Sequence, residues 1–208
     1  MQVDEAGVQR EFWGRIEQIN DISVRTGLER VSGQIGVYER TLKLTIKEIE
    51  KCDKNLNEFL ASGDMRNFTV KVHSIKSSLA NIGAMELSGQ ARELEFAAIR
   101  ADAGFCALNL PPFLERLNGL NSKLTEAFTK KSQSYGPIEI PPELPRIFDK
   151  MLLAFDEMDF SAINEGIKSL DELDLKGALQ EEVEQIKDAV MMMDYDSAAK
   201  VMRKLLKC

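Results

Sequence analysis

His73 is the only histidine in the chain, and His73, Lys76, Ser77 and Ala80 recur at i, i+3, i+4 and i+7, the spacing of one helix face. Imidazole titrates just below neutrality, so near neutral pH it keeps a ring-nitrogen lone pair. It can then attack an electrophile that is already reactive without an activating triad. Lys76, one turn on, offers a mobile point charge to the oxygens of a phosphoryl group held on that ring. Ser77, Ala80 and Ala84 are small, and Thr69 lies one turn before His73, so another protein's active site can descend on the ring without a side-chain clash. Phe68, Val72, Ile75, Leu79 and Ile82 form the apolar face of the same segment. The histidine stripe is centred roughly 120° from that face, which sets the imidazole outside.

A single histidine excludes a His-rich metal site, an HExxH helix and a two-histidine acid–base pair. A Ser-His-Asp or Cys-His triad needs only one, but it also needs a nucleophile on a strained turn, whereas His73 sits inside a regular amphipathic segment. No GxxxxGK[ST] loop, kinase glycine loop or strand-borne acidic pair occurs, so the chain is expected neither to hydrolyse ATP nor to supply its own phosphoryl donor. Its 27 Lys and Arg against 34 Asp and Glu give a net charge of −7, with no basic footprint for nucleic acid or an anionic membrane. No apolar run approaches the ~20 residues of a spanning helix, and MQVDEAGVQR lacks the apolar core of a signal peptide. Cys52, Cys106 and Cys208 are odd in number and lack CxxC spacing, which suits a reducing cytoplasm and argues against zinc.

The elements that must position His73 are helical. Apolar residues recur at three and four positions through Leu42–Leu60, Phe68–Ile82, Leu87–Ala98 and Phe113–Phe128. These predict an all-α, antiparallel four-helix bundle. Ser62-Gly63-Asp64 and Gly83 mark two joints, and Asn109-Leu110-Pro111-Pro112 reads as a third, with Pro in the first turn of the last helix. Residues 8–22, with Phe12, Trp13, Ile16 and Ile19, read as a further helix packed on the bundle.

Four of the six prolines fall between Gly136 and Pro145, where they predict an extended linker. The expected organisation is a first domain over 1–131, a linker over 132–142 and a second domain over 143–208. In the second domain Phe148–Leu170 aligns on Val183–Leu205 with a period of 35 residues, which brings Met158-Asp159-Phe160 onto Met193-Asp194-Tyr195. Each unit reads as a hairpin whose second helix starts at an Asp N-cap, and two hairpins predict a second small helical bundle. Met191-Met192-Met193 reads as core filler.

The segment His73, Lys76, Ser77, Ser78, Asn81-Ile82-Gly83-Ala84, Leu87, Ala91 and Leu94-Glu95 closely resembles the signature of the histidine-containing phosphotransfer (HPt) domain, and the resemblance extends over about residues 16–130. It departs in Ile75 for the usual Leu and in Ser77 for the common Gly, where a hydroxyl would crowd or hydrogen-bond the phosphoryl group. The likeness implies a four-helix bundle with His73 exposed midway along one helix. It implies that His73 accepts a phosphoryl group from the aspartyl phosphate of a response-regulator receiver domain and passes it to another receiver's Asp. The partner would bring Mg²⁺, and the chain would need no cofactor of its own. Glu95, at the family's recurrent position, would either orient the imidazole or fix the helix pair, and Gly83 would permit a tight turn. Because such modules follow receivers in single polypeptides, the likeness also allows the chain to be the C-terminal, cytoplasmic part of a hybrid sensor histidine kinase.

The rival reading is a non-catalytic helical adaptor or dimerisation module whose His73 is never phosphorylated. For residues 143–208 two readings stand. One is a degenerate HPt-like bundle with Lys168 in the place of His73, and the other is a generic module for docking or dimerisation. Neither can carry a phosphohistidine.

Overall fold

The computed structural model describes residues 4–135 and 140–207, and it is all helical there. The chain divides into two compact units, one spanning Gln9–Lys131 and the other taking in the chain from Ser132 together with the residues before Gln9. The stretch 136–139, inside the expected linker, lies outside the described residues, as do 1–3 and Cys208. Among the described residues no helix is long and apolar enough to cross a membrane.

The first unit contains most of α1 (Glu5–Glu17), all of α2 (Val24–Arg30), α3 (Ile35–Ser62), α4 (Met65–Asn81) and α5 (Met85–Ile99), and nearly all of α6 (Ala103–Ser134). Short turns join α3 to α6, so successive helices run antiparallel, and one apolar core takes a stripe from each. Leu42, Ile49 and Leu56 of α3, Val72 and Leu79 of α4, Leu87 and Leu94 of α5, and Leu117 and Leu124 of α6 are all buried in it. Gly63 ends α3 in a left-handed conformation, and Asp64 then caps α4 by accepting from the Asn67 amide at 3.0 Å. Phe12 and Ile16 dock α1 on this core, where Trp13 stacks on Tyr38 with ring centroids 5.8 Å apart.

Three expectations change. The last helix of the bundle begins at Ala103, because Ala101 turns left-handed and Asp102 caps the Phe105 amide at 2.9 Å. Pro111 and Pro112 therefore lie inside α6. The carbonyls they leave unbonded belong to Ala107 and Leu108, which face solvent, while Cys106, Leu110, Phe113 and Leu114 carry the buried stripe through the pair. Helix α6 also continues into residues 132–134, the start of the expected linker. Helix α2, not expected at all, is capped by Ser23, whose hydroxyl accepts from the Thr26 amide at 3.2 Å.

That short helix sets the turn between α4 and α5. Gly83 has φ 79°, and a Cβ there would collide with the Ser23 carbonyl oxygen. The Ser23 amide donates to the Gly83 carbonyl at 3.1 Å, and the Tyr38 hydroxyl donates to the Ile82 carbonyl at 2.9 Å. Gly27, lacking a Cβ, leaves room for the Tyr38 ring. Burial holds the Tyr38 hydroxyl well above its ordinary pKa, so it stays a donor.

The second unit contains α7 (Glu143–Glu157), α8 (Phe160–Asp171), α9 (Gly177–Met191) and α10 (Tyr195–Leu205). Pro145 lies in the first turn of α7, where no intrahelical amide bond is required. Hairpins α7–α8 and α9–α10 close over Phe148, Met151, Ile163, Val183, Ile186 and Met202. Their tips match: Met158 and Met193 have φ 55° and 57°, and Asp159 and Asp194 then cap α8 and α10. Met191, Met192 and Met193 are 83%, 73% and 74% exposed, so the run is a surface and not core filler. Helix α9 ends at Met191, and the chain turns outward before the apolar stripe of α10 begins.

Candidate functional site

His73 stands at the middle of α4, and its side chain is 63% exposed. The apolar residues Val72, Ile75 and Leu79 bury the opposite side of the helix. Across the Gly83 turn, α5 presents Glu95, whose side chain is only 9% exposed. One Glu95 oxygen lies 2.6 Å from His73 Nδ1, and the other accepts from Lys76 Nζ at 2.6 Å. Burial pushes the Glu95 carboxyl up, but the bonds from Lys76 and His73 outweigh it, so its pKa ends below the ordinary value and the group is a carboxylate.

This geometry fixes the tautomer. A carboxylate can only accept, so Nδ1 carries the proton and donates, leaving the Nε2 lone pair free. Lys76 Nζ is also 3.5 Å from Nδ1, but there a donor faces a donor, and its bond is with Glu95. Glu95 thus does both things left open by the sequence: it orients the ring and ties α5 to α4. Lys76 rests against the carboxylate, beside the ring.

The remaining expected surface residues divide. Ser77 is exposed and Ala80 and Thr69 are half-buried along the His73 stripe. The Ser77 hydroxyl donates to the His73 carbonyl at 3.0 Å and the Thr69 hydroxyl to the Met65 carbonyl at 2.7 Å, so both rest on their own helix. Ala84 is 0% exposed and is not part of the surface. Helix α4 ends at Asn81, and the left-handed Gly83 turns Ala84 inward to precede α5, so the i+3, i+4 spacing does not carry past that turn.

Two contacts were missed. Ser88 of α5 donates to the Lys76 carbonyl at 3.0 Å, pinning the helices one turn from His73 along α4 and about two turns from Glu95 along α5. On the other flank, Glu48 of α3 accepts from Lys71 at 2.7 Å and from Ser74 at 2.9 Å through one oxygen. Burial raises the Glu48 carboxyl, and those two bonds bring it net below its ordinary pKa. The Lys71/Ser74 spacing of i, i+3 was visible in the sequence, but a partner more than twenty residues away was not. Val70, one turn before His73, and Phe96 and Ile99 on α5 add exposed apolar surface.

The family model of the Hpt domain matches residues 40–127. Residues 40–127 are an Hpt domain. The match takes in His73, Lys76 and Glu95 together with α4, α5 and most of α3 and α6, and it leaves out α1, α2 and the second unit. Hpt domains serve phosphorelay histidine phosphotransfer and work with response-regulator receivers. No curated protein and no solved structure matches the chain. Among the described residues of the Hpt domain and the second unit, no group of three or more His, Cys, Asp or Glu side chains is placed to hold a metal ion.

Proposed function

We propose that His73 is the phospho-acceptor of a phosphorelay intermediate. The observation that carries this is the Nδ1–Glu95 bond on an exposed ring, which leaves Nε2 as the outward lone pair. Nε2 attacks the phosphorus of a receiver's aspartyl phosphate, the N–P bond forms, the P–O bond breaks, and the aspartate leaves as a carboxylate. The ring then bears a positive charge with its Nδ1 proton in place, and the Glu95 carboxylate balances it. The return step to a second receiver's Asp reverses these bonds. Mg²⁺ comes with the receiver, and Lys76 can turn from Glu95 toward the phosphoryl oxygens. Val70 on α4 and Phe96 and Ile99 on α5 are exposed and offer apolar contact to a receiver.

The test is incubation of the whole chain with a phosphorylated receiver and Mg²⁺, followed by detection of an acid-labile, base-stable phosphate. Loss of label in His73→Gln with an unchanged helical spectrum supports the proposal. Label that survives in His73→Gln refutes it, and no label in the wild type with any receiver tested points instead to the adaptor reading.

A further inference from the structure

The second unit, outside the Hpt match, carries an exposed apolar surface. Met158 and Phe160 at the α7–α8 tip are 56% and 55% exposed, and Met191, Met192 and Met193 at the α9–α10 tip are exposed still further. Both tips lie at one end of the unit, because Phe155 of α7 stacks on Tyr195 of α10 with centroids 5.0 Å apart.

Two features set this patch apart from scattered surface apolar residues. Met158 and Met193 occupy left-handed positions with large apolar side chains, whereas the left-handed helix ends of the first unit carry glycine or the small residues Ser32 and Ala101. A methionine there is strained, and glycine would relieve the strain while deleting the apolar side chain. The patch is also ringed by one sign of charge. Asp156, Glu157 and Asp159 flank one tip and Asp194 and Asp196 the other, all exposed. No Lys or Arg occurs in 151–167 or in 188–199.

We propose that this end of the second unit docks a cationic amphipathic helix presented by a partner protein. The unbranched thioether side chains adapt to an apolar helix face, and the acidic rim meets Lys or Arg on its flanks. A second copy of the same patch would set acid against acid, and an anionic membrane would be repelled for the same reason. The proposal is independent of the reading of His73.

The probe is a fluorescein-labelled Leu/Lys amphipathic peptide of about five helical turns, titrated into the full chain and followed by anisotropy. Its controls are a scrambled peptide of the same composition and a Leu/Glu peptide. The expected result is saturable binding that the controls lack, weakened by added salt. Binding should fall at least about tenfold in both Met191→Ser/Met192→Ser and Met158→Gly/Met193→Gly. The glycine pair should unfold no earlier than the wild type, which keeps the comparison clean. Equal binding of the scrambled peptide, wild-type affinity in both methionine pairs, or no binding at all overturns the proposal. So does self-association of the wild type that the same substitutions abolish, since the occupant would then be a second copy.

Discussion

Replacing Glu95 by Gln keeps the size and one acceptor oxygen of the side chain that His73 Nδ1 meets at 2.6 Å, and removes only its charge. At an effective dielectric of about 20, unit charges about 4 Å apart attract by about 4 kcal/mol. His73 is 63% exposed, and solvent screening reduces this to roughly 2 kcal/mol. The ring gains positive charge as the proposed N–P bond forms, so this attraction is felt in the transition state and the phosphorylated product. Glu95→Gln should therefore slow single-turnover phosphotransfer roughly thirtyfold. Stability should change far less. The variant loses the ion pair with Lys76 but no longer holds a charge in a nearly buried position, and these oppose each other to within about 1 kcal/mol. The assay is rapid-quench transfer from a phosphorylated receiver, with thermal unfolding of the same sample as control. A transfer rate within about twofold of wild type, with the fold intact, would refute a charge-balancing role for Glu95.

Gly83→Ala should lower the unfolding midpoint of the first unit by about 10 °C, from roughly 3 kcal/mol of left-handed strain and displaced Ser23 contact; an unchanged midpoint in calorimetry would mean that the turn is not clamped as described. Lys76→Ala should slow transfer roughly tenfold without unfolding the domain, and equal rates would remove Lys76 from the site. Because the Glu48 and Glu95 carboxyls are both held below their ordinary value of 4.5, their contribution to stability is full above that pH and is lost as pH falls below it. The double variant Glu48→Gln/Glu95→Gln should accordingly show a shallower acid decline of its unfolding midpoint below that pH, and parallel curves would contradict the assignment.

The stripe of His73, Lys76 and Ser77 was legible because it lies within one uninterrupted helix, where spacing alone sets direction. Glu95 was legible only as a choice between two roles, since which face of α5 meets α4 depends on the Gly83 turn and not on any local period. Extrapolating through that turn misplaced Ala84. The start of α6 was masked by Pro111-Pro112, which carries the usual signature of a first turn, while the Asp102 cap lies several residues earlier. Helix α2 is seven residues with a glycine inside it, too short for an apolar period to show. The Met191–Met193 run misled because apolar composition says nothing about direction once a helix has ended.

The Hpt match begins at residue 40, yet the turn that brings Glu95 under His73 is gripped by Ser23, Gly27 and Tyr38. A fragment trimmed to the matched range would keep His73, Lys76 and Glu95 and discard the contacts that hold the turn between α4 and α5. The span that a family match covers and the span that holds its helices in register are therefore different lengths of chain, and an excised domain intended to report on His73 should begin upstream of Ser23.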